Sequence, residues 1–329
     1  MIGRGRDLSQ RQDTLVFKVK AFEAQRLDVY VWTALSWKSR NRIQSLIRAG
    51  KVKVNGETAK PSRKVRGGDS IAVELPNPDA TTPDYDSLEI DVLYEDPWII
   101  AVNKPPGLLV HPVGRHIYDT LLNYLHHRYR DRLDEDGDPV RPRLCHRLDM
   151  DTTGVVVIGL DAYVHNEVRY QFENRLVSKE YIALVKGRYP SPGAIEIPIG
   201  EGHDLPSSLQ HEVLKEARTE VRVIERWGSH TLLSCIPRTG RQNQIRIHLS
   251  AVGFPIVGDE RFGGGSPPPG FPRRYLLHSR AIRFLHPRWK CPVELTAELP
   301  IDFLQLAGSL RASPQHLPVD EDLASRLDG

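Results

Sequence analysis

One stretch concentrates side chains that can do chemistry: Arg143-Leu144-Cys145-His146-Arg147-Leu148-Asp149-Met150-Asp151-Thr152-Thr153-Gly154, followed at once by the apolar run Val155-Val156-Val157-Ile158. The run reads as a strand that wants burial. It would draw His146, Arg147 and Asp149 to the margin of a core. A carboxylate held there needs a cation or hydrogen-bond donors, or its pKa rises. The chemistry open to such a group is nucleophilic attack or proton transfer. Asp149 and Asp151 compete for it, since an extended loop places both on one side. The ordinary alternative is a loop ion pair beside a strand, and the stretch alone does not separate the two.

Two further segments carry reactive or basic groups. Lys179-Glu180-Tyr181-Ile182-Ala183-Leu184-Val185-Lys186-Gly187 reads as a strand ending at a glycine, and Arg238-Thr239-Gly240-Arg241-Gln242-Asn243-Gln244-Ile245-Arg246-Ile247-His248-Leu249 as a basic loop entering a short helix closed by Gly253. Cys145, Cys235 and Cys291 are far apart and form no C-x-x-C pair. That argues against a zinc site or a disulfide framework and suits a reducing cytoplasm. No apolar run approaches a membrane span, and the basic, polar start of the chain is no secretory signal. Neither G-x-x-x-x-G-K-[ST] nor G-x-G-x-x-G occurs, which lowers the odds of a nucleotide cofactor.

The elements that must position these groups follow in chain order. Residues 1–14 read as a flexible tail. Leu27, Val31 and Leu35 recur at a helical spacing. Ser39 would cap a second helix with Ile43, Leu46 and Ile47 on its inner face and Gly50 after its end. Val52 and Val54 then alternate with Lys51 and Lys53 into the hairpin turn Asn55-Gly56. A Pro-rich linker spans 77–87. Beyond it, 90–94 pairs with 98–102, and Tyr118 to Arg130 forms a helix whose His126 and His127 lie at the surface. Asp161 caps a helix carrying Val164, Val168 and Phe172. Hairpins occupy 219–236 and 276–297, and from Ser309 the chain frays. Strands and hairpins without β-α-β alternation give an α+β fold on a mixed, mostly antiparallel sheet.

The 329-residue chain has a net charge of only +3, so the placement of charge matters more than its sum. Between Lys38 and Arg66 stand ten Lys/Arg against one acid, Glu57. Interleaved with apolar positions, they line one surface of a small helix-helix-hairpin unit and suit phosphates. Arg26-Leu27-Asp28, Ser39-Arg40 with Ile43-Gln44 and Leu46-Ile47, and Gly50-Lys51-Val52-Lys53-Val54-Asn55-Gly56 resemble the alpha-L RNA-binding module of the fourth small-subunit ribosomal protein. The resemblance implies binding of structured RNA through shape and phosphates, with Lys38, Arg40, Arg42, Lys51 and Lys53 as contacts.

His146-Arg147-Leu148-Asp149 with Thr152-Thr153-Gly154 closely resembles the signature of the RluA family of pseudouridine synthases. The likeness continues through Asn103-Lys104-Pro105-Pro106-Gly107-Leu108 with Val110-His111-Pro112, the Lys179 strand, Gly240-Arg241 with Gln244 to Leu249, Pro255-Ile256 with Gly258-Asp259, and Leu277-His278 with His286-Pro287. It implies isomerisation of uridines in ribosomal or transfer RNA, without cofactor or metal, by a monomer. It implies Asp149 as the catalytic carboxylate, Arg246 as its basic partner with Arg241 as runner-up, and Tyr181 as the ring that stacks on the uracil. His146, Arg147, Thr152, Arg241 and Asn243 fall to RNA contact or loop shaping. The chain departs from the pattern at Asn243, where His is usual, at Gln242, where Thr or Ser is usual, and at Thr153, where Ser is commoner. The domains implied are an alpha-L module over 15–76, a pseudouridine synthase domain over 88–308 and a polar tail over 309–329. The competing readings are a catalytically inactive RNA-binding assembly factor, motivated by Asn243, and an RNA methyltransferase, disfavoured by the missing glycine-rich loops.

Overall fold

A computed structural model describes residues 8, 14–20, 24–35, 40–74, 83–113, 116–200, 214–267, 271, 273–311 and 316–318. The chain divides into two compact units, Met1–Glu89 with Leu109–Pro142, and Ile90–Leu108 with Arg143–Gly329.

In the first unit, strands β1 (Thr14–Lys18), β3 (Val52–Val54), β4 (Glu57–Thr58) and β6 (Ser70–Glu74) form an antiparallel sheet in the order β1-β6-β3-β4, and β2 (Gln25–Arg26) pairs with β5 (Lys64–Val65). Helices α1 (Leu27–Ala34) and α2 (Arg40–Arg48) complete the module. Leu27, Val31, Leu35 and Ile43 are wholly buried beside Val52, Val54 and Ile71, as their spacing requires. Helix α2 ends in a Schellman arrangement: Lys51 N donates to Leu46 O at 3.0 Å and Gly50 N to Ile47 O at 3.1 Å, with Gly50 at φ +71°. Asn55 and Gly56 both take positive φ, as a two-residue hairpin turn demands. Ser39, the expected cap of α2, and Lys38 lie outside the described residues.

Segment 109–142 packs with this first unit. Its helix α3 (Leu121–Arg128) is shorter than the expected Tyr118–Arg130 because Thr120 caps it and Tyr129 closes it. Asn123 Nδ2 donates to Leu8 O at 3.2 Å, the Tyr85 hydroxyl donates to Tyr118 O, and His127 meets Asp86 at 2.9 Å. These bonds tie the segment to chain from 8 to 86. His126 is a correction: it is buried, and its Nδ1 accepts from Leu8 N at 3.3 Å.

The second unit holds an 11-stranded sheet. Its path starts with β7 (Asp91–Glu95) and β8 (Ile99–Lys104). It includes β9 (Arg143–Leu144), β10 (Thr153–Gly159), β11 (Ser178–Lys186) and β12 (Gly193–Ile195). A short pair, β13 (Ile199–Gly200) and β14 (Leu214–Lys215), stands apart. The long hairpin β15 (Thr219–Trp227) and β16 (His230–Pro237) follows, then β17 (Leu277–Leu285), β18 (Pro292–Thr296) and β19 (His316–Pro318). The main order is β12-β15-β16-β11-β17-β10-β8-β7, and only β10 with β17 is parallel. That is the mixed, mostly antiparallel sheet expected.

Val155, Val156, Val157 and Ile158 of β10 are all wholly buried. This is why the central motif reads as a continuous apolar run. Helix α4 (Ala162–Glu173) starts where Asp161 Oδ1 accepts from Val164 N at 2.8 Å and lays Val164 and Val168 on the core; α5 (Gln244–Ala251) follows the basic loop. Helix α6 (Ile301–Arg311) was not anticipated. It buries Phe303, Leu306 and Ala307 beside Trp227 and Leu184, and β19 pairs with β15, so the ordered fold passes Ser309.

Candidate active site

Asp149 sits in the loop between β9 and β10, and several bonds tie that loop down. Lys104, wholly buried at the end of β8, donates its Nζ to Met150 O at 2.7 Å, Pro105 O at 2.8 Å and Leu108 O at 2.9 Å. Burial pulls its pKa down to about 7, against the charges of Asp151 and Asp149. Thr152 N donates to Asp149 O at 3.2 Å, and the Thr152 hydroxyl meets the Tyr275 hydroxyl at 3.1 Å. Thr153 Oγ1 lies 2.8 Å from His278 Nδ1, whose Nε2 faces Ala297 O at 3.1 Å. Burial holds His278 at about 4, so it is neutral and accepts the threonine proton. Gly154 has φ +106°, and a Cβ there would stand 2.2 Å from Ser279 O. Only glycine lets β10 approach β17 this closely right after the loop.

His146 packs inward. Its ring stacks on Phe172 at 4.5 Å, and Nε2 accepts from Val157 N at 3.0 Å. Burial and the charge of Lys179 push its pKa down to about 3. It is a neutral brace for the loop.

Arg246, in the first turn of α5, faces Asp149. Its Nη1 reaches Asp149 Oδ2 at 3.5 Å and donates to Asn243 Oδ1 at 2.8 Å. Its Nε and Nη2 grip Asp259 at 2.7 and 2.9 Å. The guanidinium also lies 4.0 Å from the Tyr275 ring centroid and 4.8 Å from that of Phe262. Burial works against its charge, but Asp259, Tyr275 and Asp149 outweigh this and raise its pKa. Asn243 stands at φ 55°, ψ 19°, a conformation asparagine tolerates better than most residues. The loop before it is fixed by Gln244, which accepts from Thr239 Oγ1 at 2.6 Å and Arg241 N at 3.0 Å and donates to Arg218 O at 2.9 Å. Arg241 turns its Nε to Glu216 O at 3.0 Å, so Arg246 and not Arg241 meets the aspartate.

These elements enclose a cavity of about 710 Å³ lined by His146, Arg147, Asp149, Thr152, Tyr181, Arg241, Asn243 and Arg246 among others. Its size suits a nucleotide-sized ligand. Asp151 is not among the lining residues; its charge acts on Lys104. Tyr181 lies on β11, and burial with the nearby Asp149 charge pushes its phenol up to about 12, so it keeps its proton at neutral pH.

The pattern described as RNA pseudouridylate synthase matches residues 98–251, and that of the S4 domain matches 25–71. The chain is 33% identical to the ribosomal large subunit pseudouridine synthase D of Pseudomonas aeruginosa over 93% of this chain and 97% of that one. The chain belongs to the RluA family of RNA pseudouridine synthases. The Yersinia pestis synthase of the same description is 32% identical over 88% and 92% of the two chains. Among solved structures, human RNA pseudouridylate synthase domain containing 4 is 26% identical, with a TM-score of 0.54, over 67% of this chain and 93% of that one.

An RNA pseudouridine synthase of this family is an isomerase that acts on RNA, and its S4 domain is an RNA-binding module. In that domain the basic residues divide by environment. Asp28 is wholly buried and accepts from Arg26 at 2.9 Å, Arg40 at 3.0 Å and Gln44 at 2.8 Å, which hold its carboxyl far below the usual carboxylate range despite burial. Arg40 is therefore half turned into the module. Lys51 pairs with Glu74, while Arg42 and Lys53 are exposed. Lys104, Asp259 and Tyr275 were not singled out from sequence. Lys104 and Asp259 lay within stretches that carry the resemblance; nothing marked Tyr275.

Proposed function

We propose that Asp149 is the catalytic carboxylate of a synthase that isomerises uridine in large-subunit ribosomal RNA, with the S4 module at 15–76 gathering the RNA for a catalytic domain spanning 88–308. The observation that carries this reading is the convergence of Asp149, Arg246 and Tyr181 on one cavity, with Arg246 3.5 Å from Asp149. The ribosomal substrate rests on the relatives' descriptions.

The target base leaves its helix, and the Tyr181 ring offsets the lost stacking. Asp149 then either attacks C1′ or removes a ribose proton, and the N1–C1′ bond breaks with its electrons on the uracil. The freed base turns and C5 bonds to C1′ as the Asp149–C1′ bond breaks or as Asp149 returns its proton to the ribose; the C5 proton then leaves and N1 gains one, so atoms and charge balance. Arg246 keeps Asp149 ionised and aimed. Asn243 does not favour an inactive protein, because its amide oxygen holds Arg246 in place.

The test is to incubate the protein with ribosomal RNA from cells lacking the gene and to map pseudouridine chemically. Wild type forms it at a defined uridine and Asp149→Ala forms none. Normal product from Asp149→Ala would overturn the assignment.

A further inference from the structure

The cations that line the cavity fall into two groups. Arg246 is bound to Asp259 and Asp149, Arg169 pairs with Glu173 at 2.7 Å, and Arg241 donates to Glu216 O. Arg147, Arg175 and Lys179 also line the cavity, yet among the described residues none of the three side chains has a hydrogen bond or ion pair; Arg147 belongs to the Asp149 loop, which leaves Arg175 and Lys179 on the wall beyond it. Lys179 is two residues before Tyr181 on β11, and the register slip against β17 falls on the β17 side. Its side chain thus shares a face with the Tyr181 ring. The ammonium lies about 4.0 Å from where a Cβ on Gly240 would be, so the missing side chain leaves it open to the cavity. Arg175 follows α4 at φ 62°, a left-handed position that costs a non-glycine residue roughly 1 kcal/mol or more. That conformation closes α4, with Leu176 N donating to Gln171 O at 2.9 Å, and the Arg175 side chain lines the cavity from there.

We propose that Lys179 and Arg175 form a phosphate subsite on the cavity wall, taking the phosphodiester beside the uridine that reaches Asp149. This rests on reading the cavity as the uridine site. A base lying on Tyr181 carries its backbone along the same strand face, where Lys179 stands two residues away. Carbonyl oxygens of uracil need only a donor; unneutralised cations on the cavity wall suit a full negative charge. Burial lowers the Lys179 pKa, and an arriving phosphate would hold the proton on.

The experiment uses the full chain and a ribosomal RNA fragment carrying the mapped uridine, either native or with one neutral methylphosphonate on each side of it in turn. Binding and single-turnover rate are measured across a salt series. Lys179→Met is expected to weaken native RNA binding about tenfold and to reduce the magnitude of the log K against log salt slope by about 1. One of the two neutral linkages should cost wild type the same factor and cost Lys179→Met nothing more. Arg175→Met should behave likewise, and Lys179→Arg should recover most of the loss. Unchanged salt slopes, or losses from variant and neutral linkage that simply add, overturn the subsite. A Lys179→Met chain that melts early but keeps the wild-type salt slope counts against it too. Product from Asp149→Ala strikes the reading of the site instead, and leaves the salt comparison to judge the phosphate contact.

Discussion

Arg246 holds Asp259 more tightly than it holds Asp149: two bonds of 2.7 and 2.9 Å against one of 3.5 Å. The buried Asp259 therefore sets where the guanidinium points, and Asp149 shares the remaining nitrogen, Nη1, with Asn243. Removing Asp259 leaves a largely buried cation short of its main partner. Breaking such a pair costs about 3–5 kcal/mol. Asp259→Ala should lower the melting temperature clearly and, in whatever remains folded, slow single-turnover isomerisation by about 100-fold. Asp259→Asn, which keeps one acceptor, should fall between. Wild-type rates in Asp259→Ala would show that Arg246 does not need this anchor.

Asn243 does two jobs that different substitutions separate. Its backbone is left-handed, and its Oδ1 accepts from Arg246 Nη1 at 2.8 Å. Asn243→Gly keeps the conformation and loses the acceptor; Asn243→Ala loses both. The expectation is a rate loss of about tenfold for glycine, a similar rate with lower stability for alanine, and activity within a fewfold of wild type for histidine, which also offers an acceptor. Rate and melting curves on the three proteins decide it. Wild-type rates in all three would mean the amide oxygen is idle.

Lys104 gives a pH signature. Its pKa stands at about 7 in the folded protein against an ordinary 10.5. Between those values the unfolded chain binds more protons than the folded one, so this group makes stability rise with pH, by at most about 1.4 kcal/mol per unit. Lys104→Met lacks that rise and leaves Met150 O, Pro105 O and Leu108 O without their donor. Unfolding free energies of the two proteins should diverge from pH 7 upward, with the variant increasingly the weaker. Parallel curves across pH 7–10 would contradict a depressed lysine.

What the sequence made legible, and what it did not, follows from the range of each interaction. The hairpin at Asn55-Gly56, the cap at Asp161 and the stripe of α2 are local, and residue types a few positions apart announce them. The β10 run was visible because both its faces are covered. The web around Arg246 joins residues 149, 243, 259 and 275, which only the fold brings together. Asp259 had no mark of its own beyond the resemblance because its partner is 13 residues away, and Tyr275 had no local mark at all. Helix α6 escaped because its buried Phe303, Leu306 and Ala307 sit in a short, weakly patterned segment. His126 was misplaced for a related reason: its cover comes from Leu8, 118 residues earlier.

The S4 module offers a comparison of two exposed lysines on either side of Val52. Lys51 is paired with Glu74, whereas Lys53, exposed on β3, has no ion pair or side-chain hydrogen bond among the described residues. A lysine already neutralised displaces fewer counterions when RNA arrives. Lys53→Gln should therefore weaken RNA binding and flatten its salt dependence by close to one unit of slope, whereas Lys51→Gln should do less of both. Removing Glu74 tests the cause directly. In Glu74→Gln the lysine at 51 is released, RNA binding should tighten, and a second change at Lys51 should then cost as much as the one at Lys53. Equal effects of the two lysines in the wild-type background would show that the Lys51–Glu74 pair opens freely on contact with RNA and exerts no control over it.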